Sequence, residues 1–233
     1  MADEKYFNFP IQLLKGFLVD SGKVLSDIAN YAVYAHSTSL EYNEELSAFR
    51  SAASFYNIKF GKPVHAFDNG KELYEEYSED SPMVGITLSM YWDFNKDNKS
   101  EVQKLHLLGF LALKSILGNK TFCKTDNRML FSRMDGQVKK LEFWQLSEEM
   151  YKYCSTKHKA NYWAPKIRAE VYRWEMKSYS VRTHGFYISL KLSIDDLVFE
   201  AEKRKLKYKE LEQKNEIQNA RAKALERLNA KPP

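Results

Sequence analysis

The chain has 233 residues, 44% of them hydrophobic and 14% aromatic, with only 9 Gly and 6 Pro, which argues for a folded chain rather than a disordered one and provides ample core for one large domain or two small ones. Its formal charge of +5 conceals a polarity along the chain: residues 1–100 carry 9 Lys and Arg against 15 Asp and Glu, residues 101–196 carry 17 against 10, and residues 197–233 carry 10 against 6. Cations clustered in this way gain counterion-release free energy on a polyanion, so the middle and end of the chain are expected to meet phosphate; a solvated basic face is the alternative.

The first residues, MADEK, are acidic and lack the basic-then-apolar layout of a secretory signal. The longest apolar run, around Leu107 to Leu117, is interrupted by Lys114, so no membrane span is expected and the chain reads as cytoplasmic. Cys123 and Cys154 could form at most one disulfide, and a chain of this size does not need one.

In chain order, residues 6–35 open with an aromatic extended piece and then turn helical, with Ile11, Leu14, Phe17 and Leu18 on one face. Ser21-Gly22 punctuate before a second helical pattern of Leu25, Ile28, Ala29 and Ala32. A third helix is expected over 46–56, with Phe49, Ala52, Ala53 and Tyr56 inward, followed by a loop over 57–70 that holds His65 near Asp68 without a nucleophile. An acidic helix over 71–80 precedes MVGITLSMYW (83–92), whose Val, Ile, Thr and Tyr content favours a strand. In the next run, Asp93, Asn95 and Asp97 alternate as in a calcium loop. Asn98 replaces the glycine and Lys104 the closing glutamate, so a polar linker is expected there, with no metal.

Residues 101–117 read as a strongly apolar helix closed by Gly118-Asn119. Thr125 is expected to cap a short helix that Gly136 ends, with Leu130 and Met134 inward and Lys124, Asn127, Arg128 and Arg133 outward. Val138–Trp144 alternates as a strand, and Ser147 caps a helix through Cys154. Cys154 and His158, four residues apart, could share a helix face, but lack a second pair or a third catalytic group. The loop 155–164 places Lys157, His158 and Lys159 beside Tyr162 and Trp163; cations among aromatics suit phosphates and bases, although such rings also anchor loops in a core.

Pro165 is placed to begin a helix, with Ile167, Val171 and Trp174 on one face and Lys166, Glu170, Arg173 and Lys177 on the other. The period then shortens to two: Tyr179, Val181 and Thr183, a turn at His184-Gly185, then Phe186, Ile188 and Leu190, with Arg182, His184 and Lys191 expected around the tip. Ser193 starts a last helix that meets no Gly or Pro before Pro232. Leu197, Val198 and Ala201 would dock it, and its distal half would serve as a coiled-coil arm, a partner-binding helix or a frayed end.

A cationic helix followed at once by a small hairpin resembles the recognition helix and wing of winged-helix DNA-binding proteins, and 101–136 resembles a helix-turn-helix. The expected class is therefore mainly α with a small β-hairpin (α+β), divided into an acidic helical region 1–100, a basic winged-helix-like region 101–192 and a long helix 193–233. The resemblance implies a non-enzymatic binder of double-stranded DNA, such as a replication initiator or a transcriptional regulator of a mobile element. Lys166, Arg173 and Lys177 would approach the major groove, and Arg182, His184 and Lys191 the backbone or minor groove. Lys124, Asn127, Arg128, Arg133, Lys157 and Lys159 are the further candidate contacts. No glycine-rich phosphate loop, HExxH, paired CxxC or GxSxG occurs, so no catalytic residue and no cofactor is expected. The alternative is a structural or assembly subunit, for instance of a phage or defence complex, that oligomerises, or binds a protein partner, through 193–233.

Overall fold

A pair of antiparallel strands, β1 (Tyr6–Pro10) and β2 (Met83–Thr87), brackets the acidic third of the chain in the computed structural model, which describes residues 4–77, 81–96, 98–181 and 185–229. Between the strands lie α1 (Ser21–Ser37), α2 (Glu45–Phe55) and α3 (Pro63–Tyr77). Ser21-Gly22 opens α1 rather than separating two helices, because the Asp20 carboxylate accepts from Lys23 N at 2.9 Å. The segment expected as a loop over 57–70 is largely helical: Pro63 supplies a preset φ at the first position of α3, which continues into the acidic stretch.

The apolar run 83–92 divides after Thr87, whose hydroxyl accepts from Met90 N at 3.2 Å and turns the chain into α4 (Leu88–Lys96). The linker expected after Trp92 thus begins as the end of α4. Asp93 in it is held by Lys99 Nζ at 2.7 Å, whereas Asp97 lies outside the described residues.

The basic half begins at α5 (Glu101–Leu117), with the bounds expected from its pattern. Ser100 and Gln103 form a reciprocal capping box, and Gly118 leaves the helix at φ 53°. Then follow β3 (Cys123–Thr125), α6 (Asn127–Met134), α7 (Glu148–Cys154), α8 (Lys157–Glu170), β4 (Lys177–Ser180), β5 (Phe186–Ser189) and α9 (Ile194–Asn229). Thr125 ends β3, so the cap of α6 is Asp126, which accepts from Met129 N at 2.9 Å. The alternation over 138–144 yields a turn and a 3-10 turn at Phe143–Gln145 instead of a strand: Ser132 Oγ takes the Leu141 N–H and the Gln145 side chain that of Glu142. α8 starts at Lys157, capped by Thr156, so the expected loop 155–164 is mostly helix and Pro165 lies inside it. A 3-10 turn over Val171–Trp174 follows α8, and Glu175, at φ 63°, ends it.

The second sheet has the strand order β3-β5-β4, all antiparallel, with Thr125 and Ser180 both opposite Phe186. One cluster of buried side chains runs from Phe7 to Ile188 and crosses residue 100 without a break. Phe7, Phe9, Phe17, Phe49, Phe131 and Phe186 are fully buried in it, each contributing on the order of 1.5–3 kcal/mol. A second, smaller cluster of Tyr187, Leu197 and Ala201 seats the first turns of α9 on the sheet. From Leu206 to Glu226 every residue of α9 is exposed. The chain is thus mainly α, of the α+β class, with a long C-terminal helix; among the described residues no helix is long and apolar enough to cross a membrane.

Candidate nucleic-acid interface

Two glycines permit the close approaches that assemble the basic half. A Cβ on Gly109 would lie 2.1 Å from Ile167 Cγ2, so α8 crosses α5 closer than any side chain at 109 allows. Gly185, at φ 94°, would place a Cβ 2.1 Å from the Thr125 carbonyl, so the returning arm of the hairpin lies directly against the start of α6. With Ala160, Ala164 and Ile167 of α8 buried and Ile167 seated against Gly109 of α5, a cleft of about 760 Å³ opens between α6, α8 and the hairpin.

Its polar lining includes Asn127 and Arg128 of α6, Lys157, Asn161 and Arg168 of α8, and Ser180 of β4. Asn127 Nδ2 donates to Asn161 Oδ1 at 3.1 Å, joining the two helices across the floor. Arg168 is the anchor: Nε donates to the Ala164 carbonyl at 3.3 Å, Nη1 to Ser180 Oγ at 2.6 Å, and the guanidinium lies 4.3 Å above the Phe186 ring. Burial lowers its pKa from the usual guanidinium value, and no carboxylate among the described residues pairs with it. Arg128 is paired with Glu142. Asp126, the one acidic lining group among the described residues, is already committed. Burial opposes its ionisation, but Lys140 and the Met129 N–H outweigh that effect and hold its carboxyl below the ordinary range.

The structure therefore brings Asn127, Arg128 and Lys157 together in the cleft and distributes the remaining candidates. Lys159 and Lys166 stand on the exposed surface of α8, where Lys166 lies 4.0 Å over the half-exposed Tyr162 ring and donates to its hydroxyl. Lys124 faces α9, 5.6 Å from the Tyr208 ring. Arg133, expected outward, is buried, because α6 is enclosed on almost every side and the residues between Leu130 and Met134 are buried with them. Arg173 lies in the 3-10 turn beyond α8, 4.0 Å over Trp174, whose indole packs on Phe110 of α5. Lys177 pairs with Ser189, and Lys191 N donates to Ser189 Oγ at 3.0 Å. Both lysines thus sit at the base of the hairpin, the end away from the turn, where Lys191 had been expected at the tip. Arg182, Thr183 and His184 lie outside the described residues.

Asn161, Arg168 and Ser180 were not among the sequence candidates. The ladder Lys157, Asn161, Ala164, Arg168 is visible only if the helix starts at the Thr156 cap, and the prominence of Pro165 as a helix start obscures it. Cys154 and His158 do not meet as a pair. The thiol is buried, donates to the Met150 carbonyl at 3.4 Å, and is pushed up to about 12 by burial and by Asp135, whereas His158 is exposed. Comparison with protein-family models, curated proteins and solved structures finds no match to this chain.

Proposed function

We propose that the chain is a non-enzymatic DNA-binding protein, of the kind that initiates replication or regulates transcription on a mobile element, and that α8 and the hairpin carry the interaction. The element order α5-β3-α6-α8-β4-β5, with strand order β3-β5-β4, resembles the winged-helix arrangement, in which α6 and α8, rather than the α5 and α6 of residues 101–136, take the place of the helix-turn-helix, with α7 inserted between them. The observation that carries the reading is the cleft between a cationic helix and a hairpin, floored by a guanidinium with no carboxylate partner among the described residues. When a helix lies in the major groove and a hairpin reaches the adjacent minor groove, the sugar-phosphate strand between the grooves crosses the space that separates them. Here that strand would meet Lys157, Arg168 and the Asn127–Asn161 pair. At about 21 Å, α8 suits a major groove about 12 Å wide, and His158, Lys159, Tyr162 and Lys166 on its exposed surface would face base edges and phosphates.

The test is fluorescence anisotropy of a labelled random duplex at a series of salt concentrations. A log-log slope corresponding to several neutralised phosphates supports the reading, and no binding at low salt overturns it. The second reading, an assembly subunit, is favoured by one observation: Leu206, Leu211, Ile217 and Leu225 of α9 are each more than half exposed. Solution mass of the full chain and of a chain ending at Tyr208 decides it, since an assembly arm predicts an oligomer that the truncation dissolves.

A further inference from the structure

Behind β3 lies a second cavity of about 370 Å³, lined by Lys120, Lys124, Thr125, Asp126, Arg133 and Lys140 together with apolar groups. Two of its lining residues hold buried polar atoms that no hydrogen bond satisfies among the described residues: Arg133 Nε and Thr125 Oγ1. Arg133 is only 7% exposed and Thr125 8%. The one bond of the guanidinium is a long one, 3.3 Å from Nη1 to the Gln137 carbonyl, and no carboxylate pairs with it among the described residues. Asp126 does not fill that role, because its two oxygens are taken by Met129 N and Lys140. A buried cation with an unsatisfied Nε and a single long hydrogen bond, beside a buried hydroxyl with no partner among the described residues, is costly in a folded chain, and an anion bound between them removes the cost.

We infer that this cavity binds a phosphate monoester dianion, with Arg133 and Thr125 as its floor and the exposed Lys120 and Lys124 at its mouth. The ligand class follows from the donors: a guanidinium, a hydroxyl and flanking ammonium groups match a tetrahedral dianion. The depth of Arg133 selects a terminal phosphate, since an internal phosphodiester of an intact duplex cannot bring its oxygens to a group this buried. A free nucleotide and the 5′-phosphorylated end of a DNA strand share that chemistry. The inference does not depend on duplex binding by α8, and it is tested without duplex.

Calorimetric titration of the full chain with inorganic phosphate, AMP and adenosine, and with single strands bearing a 5′-phosphate or a 5′-hydroxyl, addresses it directly. Phosphate and AMP are expected to bind and adenosine not to bind. A preference for the 5′-phosphate strand over AMP assigns a strand end as the source, and the reverse assigns a free nucleotide; either outcome supports the site. Arg133→Met, which keeps the length of the side chain, is expected to weaken phosphate by about tenfold or more. Should that variant fail to fold by circular dichroism, Thr125→Val and Lys124→Ala carry the same comparison. No heat with millimolar phosphate, or equal affinity in the folded variants, overturns the proposal.

Discussion

Arg133 and Arg168 show how little a residue type in a sequence says about its environment. Both are arginines on short amphipathic segments, and burial lowers the pKa of both, yet one stacks on Phe186 at the floor of an open cleft and the other lies in the interior. The orientation of Arg133 was not legible because α6 has only 8 residues and is packed on several sides, so Leu130 to Met134 are all buried and the polar side of the helical pattern does not coincide with an exposed face. Removing its buried, unpaired charge by Arg133→Met is expected to leave the melting temperature in phosphate-free buffer unchanged or higher; a fall of several degrees would mean that the guanidinium supports the fold. His106 gives a pH prediction. Burial first, then the nearby Arg173, lowers its pKa against an opposing contribution from Glu170, so the folded chain binds its proton less readily than the unfolded chain. Protonation therefore favours unfolding as pH falls below the ordinary imidazole value of about 6.5, and stability is regained above it. Thermal melts between about pH 7 and pH 5 should show a decline that is shallower in His106→Gln.

Among the elements, a side-chain cap makes a helix start legible where no competing signal lies beside it and not where one does, as at Asp126 next to Thr125 and at Thr156 upstream of Pro165. Ser100 and Ser147 each accept a backbone N–H three residues on, and the helices they begin, α5 and α7, match expectation in position. Pro165 misled because a stronger cap, Thr156, lies upstream and the buried face of the helix holds it together across the missing N–H. Val138–Trp144 has the alternation of a strand but finds no neighbouring strand to pair with among the described residues, and side chains take its N–H groups instead. The crossing of α5 and α8 is the element-level feature on which the cleft depends. Gly109→Ala on an isolated helix would stabilise it by about 1 kcal/mol, but here the methyl meets the stiff, fully buried Ile167. A net destabilisation of about 1–3 kcal/mol in denaturant melts, accompanied by weaker duplex binding, is the expected result.

The whole molecule joins an acidic region, residues 1–100, to a basic remainder through one continuous core, and the class, mainly α with a small antiparallel sheet and a long last helix, could be read from periodicity because long helices dominate the chain. The role of α9 could not, since its apolar residues are spaced too irregularly to name a partner. Its contacts with the body extend to Tyr208, through Tyr179 to Glu202, Arg204 over Phe122 and Lys124 near Tyr208. A chain ending at Tyr208 is therefore expected to melt at the same temperature as the full chain at low concentration, and a large loss would show that the distal helix stabilises the monomer. The central claim concerns location as well as charge, so the most direct test compares two doubly substituted chains that lose the same charge in different places. Lys157→Ala with Lys166→Ala alters α8 beside the cleft, whereas Arg173→Ala with Lys191→Ala alters the 3-10 turn and the base of the hairpin. In duplex-binding anisotropy across a salt series, the first pair should lower affinity by about tenfold or more and reduce the slope by about 2, while the second changes little. Equal losses from both pairs in folded protein would contradict the assignment of the interface to α8 and its cleft.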